Sequence, residues 1–345
     1  METAMTDVFT TRQLVKLVED VRRPRTFLLD TFFPEIQTFD TEVIDFDLLT
    51  TGRKLAPFVS PYVQGKPRKE RGFVTKTFKP AYVKPKTPIK IGGAMKRRPG
   101  ERIAGERTPQ ERHDDAVMEA LEDHVDEIIR RKEWMAAKAM DAGKYDVEGE
   151  DFPKQEIDFG RHEDLTVTLA GGDRWGQAGV KVLDTIEAWA QNVQDISGAV
   201  SNQVVLDPKA WQMARVDEDF LKLLDNRRQM TGSVELGPVT APLTGARYLG
   251  NVGDFDFWSY QEVYEDEEGN AQKLLPDFTV FLGGAQIEGV QAHGAIQDPR
   301  AGLQALEVFP KNWIEEDPAQ EFAMSQSAPL VIPSRVNASF RARVN

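Results

Sequence analysis

The chain has four histidines and no cysteine, which limits the chemistry that its side chains can perform. Without cysteine there is no thiolate nucleophile, disulfide, iron–sulfur cluster or cysteine-based zinc site. His113 and His124 lie near one face of a predicted helix, but the glutamate that a carboxylate-bridged metal pair places three residues before each histidine is replaced by Gln110 and Leu121. We therefore interpret both histidines as solvated helix residues.

The remaining candidates for catalysis are equally weak. His162 is predicted in a polar turn and His293 at the edge of a glycine-rich strand, while Glu148, Glu150 and Asp151 form a charged loop. No two of the 26 glycines are separated by one residue, which excludes G-x-G-x-x-G, and neither Gly-Lys pair is followed by the Ser or Thr of a phosphate-binding loop. H-E-x-x-H and G-x-S-x-G are also absent. We predict no enzyme, no cofactor and no metal.

Length and composition predict a large folded protein. The chain has 345 residues, of which 40% are hydrophobic, and at roughly 150 residues per domain this suggests two compact units or one elaborate one. The longest uncharged stretch, 322–334, has 13 residues, whereas a membrane-spanning helix needs about 20 apolar residues. The first residues lack the pattern of a secretory signal. We expect no contact with a membrane.

The basic residues are concentrated in one segment. The net charge is −13, yet residues 51–100 (the basic segment) contain 14 Lys or Arg and a single acid, Glu70. Such a segment usually contacts something acidic, which could be nucleic acid or the acidic surface of another copy of the chain. A solvated loop without a partner is the alternative.

Seven prolines in the basic segment exclude a helix through most of it, and β-prone pieces lie between them. This pattern predicts a long two-stranded arm with its turn near residues 65–72. An isolated two-stranded ribbon is only marginally stable in water. The arm must therefore lie on a surface, which the rest of the same chain need not supply.

The clearest element of the sequence is a long helix over residues 109–142. Thr108, Pro109 and Glu111 form a capping box with proline at the first helical position, and Gly143 gives the stop. Its apolar stripe contains Val117, Leu121, Val125, Ile128, Met135 and Ala139. At 1.5 Å per residue the helix is about 50 Å long and spans a domain. We call it the spine helix.

Other patterns predict shorter elements, and together they indicate an α+β fold. Helices are predicted at 11–21, 184–193 and 208–213, the last restarting toward 224, and residues 22–40 look extended. Strands are predicted at 41–49, 154–169, 204–206, 255–260, 278–282, 303–309 and 321–324, with a solvated hairpin tip at 265–270. The six tryptophans are interpreted mainly as core residues, with interface anchors as the alternative.

Two classes of function remain. The chain is either a structural subunit whose arm needs neighbouring copies or a nucleic-acid-binding protein that uses the basic segment. The strongly acidic remainder of the chain opposes DNA, and no known binding motif accompanies the basic segment. A cationic arm on an acidic neighbour accounts for both signs of charge.

Several segments resemble lambda-like phage major capsid proteins, the capsid protein E family. Among them, residues 309–313 read Phe-Pro-Lys-Asn-Trp, and residues 80–86 read Pro-Ala-Tyr-Val-Lys-Pro-Lys. The matching segments occur in family order over nearly the whole chain, at 58–86, 205–211, 224–228, 275–283, 294–298, 309–319 and 326–330. Each short match is weak, but the ordered set is specific. The first 40 residues match loosely.

The resemblance implies the Hong Kong 97-type capsid fold. It would divide the chain into an N-terminal arm (1–45), an extended hairpin called the E-loop (46–91), a P-domain that contains the spine helix (92–180), an A-domain (181–298) and strands that return to the P-domain (299–345). Copies would form hexamers and pentamers of an icosahedral shell around double-stranded DNA, held without sequence specificity. The implied partners are a portal, a scaffold or protease, and a decoration protein, and the implied location is the virion, with assembly in the host cytoplasm.

The resemblance also suggests which residues contact a neighbouring copy. In the E-loop these are Lys66, Arg68, Lys69, Arg71, Phe73, Lys76 and Lys79. In the N-terminal arm they are Leu14, Val18, Phe32 and Phe33, and Trp211 and Trp313 are expected to be structural anchors.

Overall fold

A computed structural model describes residues 9–21, 23–49, 73–90, 108–149, 152–224, 227–230, 233–236, 245–266, 268–302, 305–317 and 319–345. Much of the basic segment, residues 51–72 and 91–100, lies outside these ranges. Within them, no helix combines the length and the apolar character needed to cross a membrane.

The described ranges contain six α-helices. They are α1 (Thr11–Asp20), α2 (Phe27–Phe32), α3 (Pro109–Ala142), α4 (Val182–Ser197), α5 (Pro208–Ala214) and α6 (Glu218–Leu223). Helix α3 is the spine helix, and its predicted bounds are confirmed. The helices predicted at 11–21, 184–193 and 208–213 are confirmed as α1, α4 and α5, and α6 is the predicted restart.

The same ranges contain twenty strands, numbered in chain order. They are β1 (Glu35–Thr38), β2 (Ile44–Leu49), β3 (Phe73–Phe78), β4 (Lys86–Ile89), β5 (Lys144–Gly149), β6 (Phe152–Asp158), β7 (Thr166–Thr168), β8 (Gln203–Leu206), β9 (Arg227–Met230), β10 (Ser233–Leu236), β11 (Ala246–Val252), β12 (Phe255–Tyr260), β13 (Val263–Glu265), β14 (Ala271–Lys273), β15 (Thr279–Gly283), β16 (Gly289–His293), β17 (Phe309–Glu316), β18 (Ala319–Gln326), β19 (Pro329–Pro333) and β20 (Phe340–Arg343).

The main core lies around a six-stranded sheet in the order β11-β12-β8-β15-β20-β7. Its central strands β8 and β15 are almost continuously apolar, and Val205 and Phe281 have no exposed surface. Helix α4 packs on this sheet through Trp189, whose ring stacks on Phe340 with centroids 5.2 Å apart. Strands buried on both faces read as apolar runs, which is why the sequence showed β8 and β15 clearly.

Two smaller sheets pack against the spine helix. One, in the order β17-β18-β4, covers its N-terminal half together with α1 through a separate apolar cluster that includes Leu14, Val117 and Leu121. The other, in the order β1-β16-β19, contacts the spine helix through β19. The spine helix thus contributes to both apolar clusters.

The structure corrects the extended conformation expected for residues 22–40, because α2 lies within them. The amide N–H groups of Leu28 and Leu29 donate to the buried carboxylate of Glu133, at 2.9 and 3.0 Å, and this satisfies donors at the start of the helix. Glu133 is about a hundred residues away in the sequence. The signal for α2 was therefore tertiary rather than local.

Two strand predictions are also corrected. The strand expected at 154–169 is interrupted, since β6 ends at Asp158 and the chain turns at Gly160, whose φ is +72°. The strand expected at 303–309 instead begins at Phe309 and continues to Glu316, because β17 pairs with β18 along its whole length. Cross-strand partners, rather than residue type alone, set these bounds.

Candidate functional site

The base of the arm is a short two-stranded ribbon, in which the strand predicted separately at 41–49 supplies one side, whereas residues 86–89 of the predicted arm pair with β18 of their own chain. Strands β2 and β3 pair antiparallel from Ile44 opposite Phe78 to Leu49 opposite Phe73. Phe46 stacks on Phe78 across the ribbon with centroids 5.4 Å apart, and it attaches the ribbon to the rest of the chain through Phe159, 5.9 Å away. Ile44 is fully buried at this end.

Two of the lysines predicted to contact a neighbour, Lys76 and Lys79, make contacts within the chain. The Nζ of Lys76 donates to the main-chain oxygen of Asp158 at the end of β6. Lys79 forms an exposed ion pair with Glu42, just before β2. The other predicted arm contacts, Lys66, Arg68, Lys69 and Arg71, lie outside the described residues, as does the side chain of Phe73. Contact with a neighbour stays a prediction for them.

The four apolar residues predicted to contact a neighbour from the N-terminal arm are instead buried within their own chain. Leu14 and Val18 of α1 pack in the cluster beneath the spine helix, and Phe32 and Phe33 lie in the main core. Phe33 has no exposed surface. The sequence patterns indicated that these apolar side chains must be covered by another surface. Only the packing shows that this surface belongs to their own chain.

The histidine predictions change as well. His124 is 1% exposed rather than solvated, because its ring lies between Thr87 Oγ1 at 2.8 Å and Ser325 Oγ at 3.3 Å. Burial lowers its pKa. His113 contacts the Glu321 carboxylate at 2.5 Å. Both histidines therefore face the sheet β17-β18-β4, a position that their spacing on the helix could not distinguish from a solvated one.

His293 is the last residue of β16, the central strand of its sheet rather than an edge, and is fully buried. It is part of a charge cluster in which the buried Lys132 Nζ and the more exposed Arg23 Nη1 each lie 2.7 Å from the Glu307 carboxylate. Burial alone would raise the pKa of Glu307, but the cations beside it lower that pKa to about 2. Burial, assisted by Lys132, lowers the pKa of His293 to about 3, so the ring is neutral near pH 7.

Glu133 is a second buried charged group that the sequence reasoning missed. Its carboxylate accepts the two α2 amides described above and the Tyr260 hydroxyl at 2.7 Å. Burial raises its pKa to about 7, although these hydrogen bonds lower it. One sequence signal was available: Lys132 and Glu133 follow Ile128 and Ile129 by four positions, which places them on buried faces of the spine helix.

These buried charges connect separate elements rather than forming a reaction centre. No group of three or more His, Asp or Glu side chains in the described ranges is arranged to hold a metal ion. Through charge-assisted hydrogen bonds, Glu133 and Lys132 of the spine helix join it to α2, to β12 and to the 305–308 segment.

Trp211 and Trp313 are both half-buried, so their role as anchors stays a prediction. Trp313 lies on the face of β17 that points away from the spine helix and stacks on Phe322 at 5.6 Å. The Nζ of Lys86 lies 3.7 Å from the centre of the Phe322 ring. Trp211 meets Phe220 edge to face at 6.3 Å.

An open cleft of about 440 Å³ lies between the spine helix and the β13–β14 hairpin. It is lined by Arg131, Trp134, Tyr264, Glu265, Asp266 and Glu268. The hairpin is the acidic tip that the sequence predicted at 265–270, and strands β13 and β14 pair antiparallel on either side of it. Its acids therefore border the cleft on one side.

Comparison with known proteins gives a consistent result. The family model described as "Phage major capsid protein E" matches residues 10–344. The major capsid protein of Escherichia phage lambda is 34% identical over 332 residues, and that of Enterobacteria phage P21 is 32% identical over 337; in both cases the alignment covers 94% of this chain and 96% of the relative.

Solved structures resemble the chain over its whole length. The crystal structure of a putative prophage capsid protein from E. coli CFT073 has a TM-score of 0.79 and 26% identity, covering 98% of this chain and 99% of that one. The capsid of Ralstonia phage GP4 has a TM-score of 0.57 and 12% identity, covering 99% and 95%, which is a likeness of fold alone.

Proposed function

The chain belongs to the phage major capsid protein E family, and we propose that its copies form the hexamers and pentamers of an icosahedral shell around the double-stranded DNA of a tailed phage. The role of this family is structural rather than enzymatic. The α+β architecture is that of phage capsid proteins, in agreement with the Hong Kong 97-type fold expected from the sequence. The match over residues 10–344 carries the proposal.

Assembly would depend on the arm. The base of the ribbon is fixed to its own chain by the contact of Phe46 with Phe159, whereas the sequence beyond it is cationic and rich in proline. Because a two-stranded ribbon alone is marginally stable, a neighbouring copy would provide the surface that the outer part of the arm lacks. Lys66, Arg68, Lys69 and Arg71 are its proposed contacts.

The proposed division of the chain keeps the N-terminal arm (1–45), E-loop (46–91), P-domain (92–180), A-domain (181–298) and returning strands (299–345). Since Leu14, Val18, Phe32 and Phe33 are buried within their own chain, any contact between the N-terminal segment and a neighbour would use other residues. The A-domains would meet around the centre of each hexamer or pentamer.

Further partners follow from the same proposal. A shell of this kind would assemble in the host cytoplasm with a scaffold or protease and a portal, and a decoration protein would reinforce the finished virion. The packaged DNA would lie against the inner face without sequence specificity.

The experiment is to image two variants of the purified protein by negative-stain electron microscopy. One replaces Lys66, Arg68, Lys69 and Arg71 with glutamate, and the control exchanges lysine for arginine at the same positions, which keeps the charge. We expect shells from the control and the unaltered protein, and folded, soluble protein without shells from the glutamate variant. Normal shells from the glutamate variant would contradict the proposed role of the arm.

A further inference from the structure

One cluster of polar side chains, which we call the Tyr260 cluster, joins the spine helix to two distant segments of the chain. It consists of Glu133 of the spine helix, Tyr260 at the end of β12, and Glu262 just beyond that strand. The Tyr260 hydroxyl lies 2.7 Å from Glu133 Oε1 and 3.0 Å from Glu262 Oε2. Glu133 and Tyr260 are buried, and Glu262 is half-buried. Two carboxyl groups therefore meet at one hydroxyl.

The number of hydrogens in the Tyr260 cluster limits its protonation. A tyrosine hydroxyl has a single hydrogen, so it can donate to only one of the two carboxyl groups. An ionised carboxylate is an acceptor only and has no hydrogen to donate in return. Both contacts can be hydrogen bonds at the same time only if one of the two carboxyl groups carries a proton. The geometry therefore requires one acidic proton that the three groups share.

The contacts of Glu133 with α2 indicate where this proton fits. Glu133 Oε1 and Oε2 accept the amides of Leu28 and Leu29, at 2.9 and 3.0 Å. Because both of its oxygens are already acceptors, the proton fits on Glu262, which then donates to Tyr260 while Tyr260 donates to Glu133. Burial raises the pKa of both carboxyl groups, that of Glu133 to about 7. The cluster therefore keeps its proton up to about neutral pH.

The charges around the Tyr260 cluster do not replace this proton. Arg130 on the spine helix lowers the pKa of Glu262, but burial outweighs it. Lys132, next to Glu133, is already paired with Glu307 in the separate charge cluster. The charged groups of the other elements packed against the cluster are exposed or half-buried: Arg25 and Asp30 at α2, Arg247 on β11, and Glu265, Asp266 and Lys273 at the β13–β14 hairpin.

The Tyr260 cluster lies where α2 and the root of the hairpin both meet the spine helix. On the α2 side, the ring of Phe27 lies 5.4 Å from the ring of Tyr260, in addition to the two amides that Glu133 accepts. On the hairpin side, the main-chain oxygen of Glu262 accepts the N–H of Leu274 at 2.9 Å. Both segments are thus fixed close to the same shared proton.

We infer that Glu133, Tyr260 and Glu262 form a proton-dependent latch that holds α2 and the root of the β13–β14 hairpin on the spine helix. When the shared proton leaves, two ionised carboxyl groups face one hydroxyl, and one of the two hydrogen bonds is lost. Since both segments depend on the same proton, release of either one weakens the attachment of the other. The latch is a property of the single chain and does not rest on the proposed function.

Hydrogen exchange of the α2 amides tests the latch. A carboxyl group with a raised pKa stabilises the closed state at low pH, and this contribution is lost as the pH rises through the raised value. After correction for the intrinsic pH dependence of exchange, the protection of Leu28 and Leu29 in the full-length chain should fall at least about tenfold between pH 5 and 8. Protection that stays constant over this range would overturn the inference.

The variant Glu262→Gln supplies the missing hydrogen at every pH. Its amide group can donate to the Tyr260 hydroxyl without any acidic proton, so α2 should remain protected from pH 5 to 8. The matched control is Glu265→Gln, at an exposed position on the same hairpin, and it should keep the pH dependence of the unaltered protein. The same pH dependence in Glu262→Gln as in the unaltered protein would also overturn the inference.

Infrared spectroscopy detects the proton itself and keeps the inference testable if a variant does not fold. The unaltered protein should show a carboxylic acid C=O band that disappears as the pH rises from 5 to 8. The band should be missing from Glu262→Gln and retained in Glu265→Gln. An unaltered protein that loses no carboxylic acid band near neutral pH would show that the cluster holds no such proton, and the latch would be wrong.

Discussion

At the scale of single residues, the buried carboxyl group of Glu133 links the protonation of one side chain to the stability of the fold. Its pKa is about 7 in the folded chain against an ordinary value of 4.5, and burial is the main cause. A raised pKa means that this group stabilises the fold most below about pH 4.5 and that the contribution is lost as the pH rises through 7.

We therefore expect Glu133→Gln to remove a pH dependence. At 1.36 kcal/mol per pKa unit, the free energy of unfolding of the unaltered protein should lose on the order of 3 kcal/mol from this group between pH 4.5 and 8. Melting temperatures measured across this range should fall less in the variant than in the parent. Glu187→Gln, at an exposed position on α4, is the matched control, and equal slopes for all three proteins would contradict the prediction.

Trp313 shows how partial burial limits the contribution of a large side chain to the stability of the fold. Its ring is half-buried and relies on the stack with Phe322, whereas Phe309 on the same strand is 1% exposed. We expect Trp313→Ala to lower the free energy of unfolding by about 1–2 kcal/mol, and Phe309→Ala to lower it by about 3–5 kcal/mol. Urea unfolding of the unassembled chain measures both, and equal losses would place Trp313 in the core.

At the scale of elements, the spine helix ends at a position that needs glycine. Gly143 has φ +67° and closes the helix by donating its N–H to Ala139. A Cβ at this position would lie 2.7 Å from the Cβ of Arg161, whose guanidinium donates to the main-chain oxygens of Ala139 and Asp141. The left-handed backbone and the close approach of Arg161 therefore both disfavour a side chain at position 143.

Gly143→Ala should accordingly cost about 1–3 kcal/mol in the free energy of unfolding. Gly149→Ala is a suitable control, because its nearest added contact would be 3.8 Å away and its backbone is not left-handed. Thermal unfolding of the two variants compares them directly. A Gly143→Ala protein as stable as the control would show that Arg161 moves aside and that the turn tolerates a side chain.

At the scale of the whole molecule, the separation of charge along the chain predicts a salt-sensitive assembly. Salt shortens the range of electrostatic attraction from about 10 Å at 0.1 M to about 3 Å at 1 M. If the basic arm is held by acids of a neighbour, the onset of light scattering during assembly should be later at higher ionic strength.

The matched variant replaces Lys66, Arg68, Lys69 and Arg71 with glutamine, which removes charge while keeping hydrogen-bonding side chains. Its assembly should depend less on ionic strength than that of the parent. The same dependence in both proteins would show that charges outside the arm cause the effect.

The sequence by itself determined the elements whose signals are local. The spine helix was predicted from its capping box and terminal glycine, the strands β8 and β15 from uninterrupted apolar runs, and β2 and β3 from short β-prone pieces. Each of these depends on residues close together in the chain. The ordered family resemblance supplied the fold, and the family match later confirmed it.

Only the tertiary structure decided which side chains face one another. Helix α2 exists because Glu133 caps it from the spine helix, and His124 is buried because β4 and β18 cover it. Likewise, Phe32 and Phe33 pack in their own chain's core rather than against a neighbour. Apolar periodicity identifies the face of an element that must be covered, but the covering surface comes from residues distant in sequence, and its identity is a property of the packed molecule.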